Sequence, residues 1–273
     1  MADRYAVFGN PVAHSKSPQI HAAFADQTGQ SLRYTTVEAP EDDFAGAWQR
    51  FVQDGGRGAN VTVPFKGDAF ALSDTLSHRA QRAGAVNTLI MGGNGRTYGD
   101  NTDGIGLARD LAHHEVTLKG KRVLMVGAGG AVRGVLAPLL AESPRELMIA
   151  NRTAAKAVAL AEAFADAGQV SGGGLEDIDG AFDVVINGSS ASLSGDMPPL
   201  PDGLFAAGAS AYDMMYGAEP TVFLRWAEAR GARTIDGLGM LVEQAAESFF
   251  LWRSVRPDTT AVRASLRQAL ADG

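Results

Sequence analysis

The run Gly127-Ala128-Gly129-Gly130-Ala131 follows the apolar segment Arg122–Val126 and opens the apolar, helix-patterned segment Val132–Leu140. Glycines between a buried strand and a helix let the backbone approach a pyrophosphate, and the helix N-terminus adds unpaired N–H groups and a favourable dipole. The match to G-x-G-x-x-G is incomplete, because Val132 stands where a third small residue belongs. A tight strand-to-helix turn with no ligand has the same pattern. The next strand separates the two readings. It ends in Asn151-Arg152-Thr153, with Lys156 one turn into the following helix. No acid is present there to bond a ribose 2′-hydroxyl, as NAD sites prefer, whereas the planar fork of Arg152 suits a phosphate. The pattern points to NADP, with Gly127, Ala128, Gly129, Gly130, Ala131, Arg152, Thr153 and Lys156 as its holders.

Polar groups also cluster earlier in the chain, in Ser15-Lys16-Ser17-Pro18, Asn60-Val61-Thr62-Val63-Pro64-Phe65-Lys66, Ala85-Val86-Asn87-Thr88 and Asn101-Thr102-Asp103-Gly104. Each segment lies at a strand end or in a loop. Taken singly, each has a plain reading: Lys66 as an exposed lysine, Asp103 as a helix N-cap, Ser15 and Ser17 as turn and capping residues. Only their joint occurrence points to a site.

The elements that must position these groups alternate. Tyr5–Gly9, Leu32–Val37 and Gly58–Val63 read as strands. Ser17–Gln27, with Ser17 as N-cap and Pro18 in the first turn, and the amphipathic Glu41–Gln53 read as helices. Asp103–His113 is a further helix, and Lys119-Gly120-Lys121 a polar hinge. The alternation then restarts with strands at Arg122–Val126, Glu146–Ala150, Phe182–Ile186 and Ala209–Tyr212 and helices at Val132–Leu140 and Thr153–Ala165. Gly172-Gly173-Gly174 reads as a local loop. Two βαβ series imply an α/β fold in two domains. The helical stretches Leu238–Ser254 and Thr259–Leu270 have no strand after them, so they are expected to pack away from the second sheet, against the first domain.

Composition narrows the class. A chain of 273 residues, 45% hydrophobic and 20% charged, has ordinary soluble usage and can bury a core without staples. It has no cysteine, which excludes disulfides, thiolate ligands and a cysteine nucleophile. A net charge of −7 argues against a nucleic-acid partner. The apolar run Tyr5–Phe8 is too short for a signal peptide, and no stretch approaches the roughly 20 apolar residues of a membrane span, so a cytoplasmic protein is expected. The five histidines show no ligand spacing such as H-E-x-x-H, and no metal is expected.

In order and spacing, the four early segments resemble the motif set of the shikimate dehydrogenase family. So do Tyr212-Asp213-Met214-Met215-Tyr216 and Asp236-Gly237-Leu238-Gly239-Met240-Leu241, followed by Gln244. The resemblance implies an N-terminal substrate domain of residues 1–102 and 240–273, with the tail returning to it, and a Rossmann-type NADP domain of residues 103–239. It implies NADP-dependent, reversible reduction of 3-dehydroshikimate to shikimate in aromatic amino-acid biosynthesis, by a monomer or homodimer. By position it implies Lys66 and Asp103 as the catalytic pair. Ser15 and Ser17, with Tyr216, would bind the substrate carboxylate, and Thr62, Asn87, Asp103 and Gln244 the ring hydroxyls. Met214 and Gly237 would border the nicotinamide. The stretch 187–193 departs from the family's usual pattern of a threonine and a glycine-methionine pair.

Such residues fit that chemistry. Asn, Gln, Thr and Asp offer donors and acceptors at several angles, and a missing hydroxyl leaves them unpaired. Hydride delivery leaves negative charge on a carbonyl oxygen, which a lysine ammonium stabilises and protonates. Three other readings compete. A catabolic quinate/shikimate enzyme using NAD is opposed by Arg152 and by Ser17. A non-catalytic sensor would have lost Lys66 or Asp103. A generic dinucleotide oxidoreductase is all that the glycine turn alone supports.

Overall fold

The chain opens with β1 (Asp3–Gly9), α1 (Ser17–Thr28), β2 (Leu32–Glu38), α2 (Phe44–Gln53) and β3 (Gly56–Val61). It continues with α3 (Lys66–Leu72), β4 (Thr75–Leu76), α4 (His78–Ala83), β5 (Thr88–Met91) and β6 (Thr97–Asp100). The computed structural model describes residues 2–189 and 195–272. The six strands form one mixed sheet in the order β2-β1-β3-β5-β6-β4. β1 runs parallel to β2 and β3, and β5 antiparallel to β3 and β6. The sequence pattern does not anticipate the β5–β6 hairpin. Its strands are short and Gly99 interrupts the second, so alternation is weak. The register sets Thr88 opposite Asp100, and the tip at residues 93–96 is exposed.

Local chemistry explains the elements. The Asp43 carboxylate accepts from Gly46 N–H at 3.0 Å and starts α2, later than the expected residue 41. Phe44, Ala47, Trp48 and Phe51 recur at helical spacing and are buried. Phe44, Trp48 and Phe51 set their rings edge-on to Phe8 of β1 at 5.8, 6.2 and 5.5 Å. Burial of each such side chain stabilises the fold by about 1.5–3 kcal/mol. In α1, Lys16 holds the N-cap position and Ser17 is the first helical residue, which corrects the expected Ser17 cap.

The second half contains α5 (Asp103–His113), β7 (Arg122–Val126), α6 (Gly130–Ala141), β8 (Glu146–Ala150) and α7 (Ala154–Ala163). β9 (Val170–Gly173), β10 (Phe182–Asn187), β11 (Phe205–Asp213), α8 (Val222–Glu228), β12 (Arg233–Ile235), α9 (Leu238–Arg253) and α10 (Thr260–Ala271) follow. The sheet is wholly parallel, in the order β12-β11-β10-β7-β8-β9. The glycine run expected as a loop contributes its first two residues to β9. A Cβ at Gly172 would lie 2.2 Å from Ala157 O, so glycine is what lets α7 sit directly on that edge strand.

By contacts, the chain separates into a unit of Met1–Gly106 with Val242–Arg263 and a unit of Leu107–Leu241 with Ala264–Gly273. The divisions fall inside α5, α9 and α10 rather than at residues 102 and 240. The first-unit part of α9 is fixed by Trp252, which stacks on Tyr5 at 4.7 Å and donates its indole N–H to Leu89 O at 3.1 Å. Among the described residues, no helix is long and apolar enough to cross a membrane.

Candidate functional site

Lys66 is the first residue of α3. It is reached through a turn in which Phe65 N–H donates to Thr62 O at 3.0 Å. Phe65 is fully buried and stacks on Phe44 at 5.0 Å, while the neighbouring Lys66 side chain stays 30% exposed. Lys66 Nζ donates to Asp103 Oδ2 at 2.6 Å, and Asn87 Nδ2 donates to Asp103 Oδ1 at 2.7 Å. The Asp103 carboxylate therefore engages a lysine and an amide instead of capping its own helix. Asn101 Oδ1 accepts from the Asp103 N–H in that place, at 3.1 Å. An ammonium held by a short charge-assisted bond, with solvent access, can exchange a proton with a bound oxygen.

Around this pair the first unit adds amides and hydroxyls. Asn87 Nδ2 also faces Thr102 Oγ1 at 2.9 Å and Gln244 Oε1 of α9 at 3.3 Å. Asn87 Oδ1 accepts from Thr102 N–H at 2.9 Å and from the Thr88 hydroxyl at 2.8 Å. Thr62 sits on the Lys66 turn, with its N–H bonded to Phe8 O at 2.8 Å. Ser15 Oγ accepts from Ser17 N–H at 3.2 Å. The buried Ser17 hydroxyl meets Tyr34, whose own hydroxyl donates to Asn60 Oδ1 at 2.7 Å. Burial pushes the Tyr34 phenol well above its ordinary range. Asn60 Nδ2 faces Asn87 O, Thr88 Oγ1 and Ser248 Oγ at 3.2, 3.3 and 2.9 Å. Lys66, Asn87, Asp103 and Gln244 thus converge directly, and Ser15 and Ser17 join them through Tyr34 and Asn60. Tyr216 belongs to the second unit. Sequence reasoning missed Asn60 and Thr102 as site-building residues. An amide in the small, buried strand Gly56–Val61 was the available signal.

Asn60 also explains a buried histidine. Its amide nitrogen must face the Asn87 carbonyl, so its oxygen faces Tyr34 and His21. His21 Nε2 therefore carries the proton that bridges to Asn60 Oδ1 at 3.1 Å. Its Nδ1 has no partner among the described residues, and burial pulls the imidazole down to about 3. Above an ordinary histidine pKa near 6.5 neither state is protonated, and stability is independent of this group. Between about 6.5 and 3 the unfolded chain binds a proton that the folded chain refuses, so stability falls as pH falls. From pH 7 to 4.5 that loss is about 3 kcal/mol. Urea unfolding at both pH values should show the wild type losing about that much more than His21→Gln. Equal losses would refute the assignment.

In the second unit, Gly127 follows β7 at φ +110°, a conformation that favours glycine. Gly129 is the N-cap of α6, with no side-chain cap, and Cβ atoms built at Gly129 and Gly130 meet nothing within 4 Å. Open space over exposed helix-start N–H groups is what a pyrophosphate needs, so the residues fit a dinucleotide. Ala128 is half-buried and Ala131 exposed beside them. At the end of β8, Asn151 Nδ2 donates to Thr153 O at 3.0 Å, and Arg152, Thr153 and Lys156 are exposed. A cleft of about 480 Å³ runs along Gly127, Asn151 and Arg152 to Leu175, Met197 and Pro198. After β11, Met214 is buried, and its N–H donates to Asn187 O at 2.9 Å. A Cβ at Gly237 would lie 2.2 Å from Met214 O, so glycine is needed for the two segments to touch. Of the atypical stretch 187–193, Asn187 Oδ1 accepts from the Ser189 N–H and hydroxyl at 3.2 and 2.8 Å. Residues 190–193 lie outside the described residues.

Family models match the chain in three stretches. They are the shikimate dehydrogenase substrate binding domain over residues 7–89, shikimate / quinate 5-dehydrogenase over residues 110–194, and the shikimate 5′-dehydrogenase C-terminal domain over residues 237–267. A shikimate dehydrogenase (NADP(+)) of Chromohalobacter salexigens is 69% identical over 98% of this chain and 99% of that protein. The crystal structure of an Ael1 enzyme from Pseudomonas putida matches with a TM-score of 0.92 at 48% identity, over 97% of this chain and 98% of that one. The shikimate 5-dehydrogenase of Thermus thermophilus, solved in complex with NADP(H) and shikimate, matches with a TM-score of 0.85 at 36% identity, over 99% and 100% of the two chains.

Proposed function

Since the chain belongs to the shikimate dehydrogenase family, we propose that Lys66 and Asp103 are the catalytic pair of its NADP-dependent reaction. The protein is an oxidoreductase acting on a CH–OH group, and it interconverts 3-dehydroshikimate and shikimate. The single observation that carries the catalytic assignment is the 2.6 Å contact between Lys66 Nζ and Asp103 Oδ2, with Asn87 on the other carboxylate oxygen.

In the reducing direction, Lys66 stabilises negative charge on the substrate carbonyl oxygen and gives it a proton. In the oxidising direction, a neutral Lys66 takes the hydroxyl proton. Bound NADPH supplies the hydride, and bound NADP takes it up in reverse. Asp103 holds Lys66 in place, and Asn87 holds Asp103. Thr62, Asn87, Asp103 and Gln244 read ring hydroxyls, because a substrate lacking one leaves these groups unpaired. Ser15 and Ser17 take the carboxylate. Gly127–Ala131 hold the pyrophosphate, and Asn151, Arg152, Thr153 and Lys156 hold the 2′-phosphate end. Met214 and Gly237 border the nicotinamide. The first unit is thereby the substrate domain and the second the NADP domain. The protein is proposed to work in the cytoplasm, as a monomer or homodimer.

The test is the initial rate of nicotinamide reduction with shikimate or quinate, each with NADP or NAD. Fast turnover with shikimate and NADP alone is expected. Turnover with quinate and NAD would move the protein to the catabolic branch and undo the reading of Arg152. NADP binding without turnover on any pair would overturn the substrate assignment.

A further inference from the structure

Arg79, the second residue of α4, is absent from the site as described, yet it sits in a buried knot of charge behind it. Its Nε donates to Asp100 Oδ1 at 2.7 Å and its Nη2 to Asp100 Oδ2 at 3.0 Å. The same Nη2 reaches Glu247 Oε1 on α9 at 3.2 Å. The side chains of Asp100 and Glu247 are 3% and 8% exposed, and that of Arg79 22%. A buried cluster of this kind costs desolvation and is poor evidence for stability. Its connections show what it does instead.

Asp100 ends β6 and begins the turn that carries Asp103. Its Oδ1 also accepts from the Ser77 hydroxyl and from Asn101 N–H. Asn101 in turn accepts from Asp103 N–H and donates to Ala85 O. The backbone C=O of Asp100 accepts from Asn87 N–H at 3.0 Å. On the other side, Glu247 lies one helical turn beyond Gln244, on the same face of α9. Its second oxygen accepts from Arg256 at 2.9 Å. One guanidinium therefore ties the turn bearing Asp103 to the helix bearing Gln244.

We propose that Arg79 is a positioning residue for the reaction, fixing the Asp103 turn and the Gln244 helix at one spacing around Lys66. The proposal rests on the assignment of Lys66 and Asp103 as the catalytic pair. Only a planar fork meets both oxygens of Asp100 and a second acid together. A lysine ammonium is a compact point charge without that fixed fork, so it does not reproduce the bidentate geometry.

The experiment compares Arg79→Lys, Asp100→Asn and Arg256→Ala with the wild type, and Arg79→Lys again in an Asp103→Asn background. Arg79→Lys is expected to lower kcat for shikimate about 10- to 100-fold, as a shift of about 1 Å at the reacting groups does, and to raise KM for shikimate through Gln244. KM for NADP stays within about twofold. Asp100→Asn repeats the kcat loss and stands in should Arg79→Lys fail to fold. Arg256→Ala lowers the melting temperature but leaves kcat within about twofold, since it touches Glu247 and not Asp100. In the Asp103→Asn background the kcat effect of Arg79→Lys shrinks to about twofold or less, because the group it positions is gone. Full additivity there, or an equal kcat loss in Arg256→Ala, would overturn the proposal and leave Arg79 a structural residue. Undiminished activity in Asp103→Asn alone would overturn the catalytic assignment and the proposal with it.

Discussion

Lys66→Ala is expected to lower shikimate turnover by about a thousandfold or more, with NADP binding and the fold retained. The side chain combines two tasks, charge stabilisation at a developing oxyanion and proton exchange, each separately worth a factor of about a hundred or more. Its stability contribution is small. The Lys66 side chain is 30% exposed, and Asp103 keeps the Asn87 bond when the lysine is gone. A partly exposed ion pair contributes about 1 kcal/mol or less. Steady-state rates beside a thermal melt separate the two effects. A variant that melts normally and turns over within tenfold of the wild type would remove Lys66 from the mechanism.

Gly129→Ala is expected to fold as the wild type does, yet to bind NADP about 10- to 100-fold more weakly, the worth of one or two hydrogen bonds to charged phosphate. Gly129 has φ −88° and ψ −177°, a conformation any residue adopts, and an added Cβ touches no protein atom within 4 Å. Neither backbone strain nor packing explains glycine at this position, so the space itself is the feature. Exchange of one helix N-cap residue for alanine costs about 1 kcal/mol or less here. The methyl group would stand where we propose that a pyrophosphate comes down on the start of α6. Because NAD and NADP share that group, Gly129→Ala should weaken both alike, whereas Arg152→Ala should weaken NADP alone. Titration of the two cofactors against both variants measures this. Unchanged NADP affinity in Gly129→Ala would mean that the open cradle is not the cofactor's seat.

Much of the architecture is legible in the sequence where hydrophobic runs are long. Asp103–His113, Arg122–Val126 and Glu146–Ala150 occupy the residues their patterns predict. Where strands run to only three or four residues the pattern fails, as in the β5–β6 hairpin, β9 and β12. The site divides in the same way. Lys66, Asn87 and Asp103 stand in local motifs and can be named from them. Arg79 acts through Asp100 and Glu247, 21 and 168 residues away, and nothing local marks such pairings. The N-cap of α1 shows a subtler limit. Ser17 has the right chemistry to cap, but its side chain is turned to Tyr34.

The β5–β6 register has a consequence for how such a chain can vary. Asn87 and the Asp103 turn leave the hairpin at its base, while Gly93, Asn94, Gly95 and Arg96 stand exposed at its far end. Residues gained or lost at that far end leave the pairing of Thr88 with Asp100 intact. A single residue gained inside either strand turns every later side chain to the opposite face. Sequence drift in length is thus steered to one end of the ribbon, and the reacting groups are insulated from it at the other.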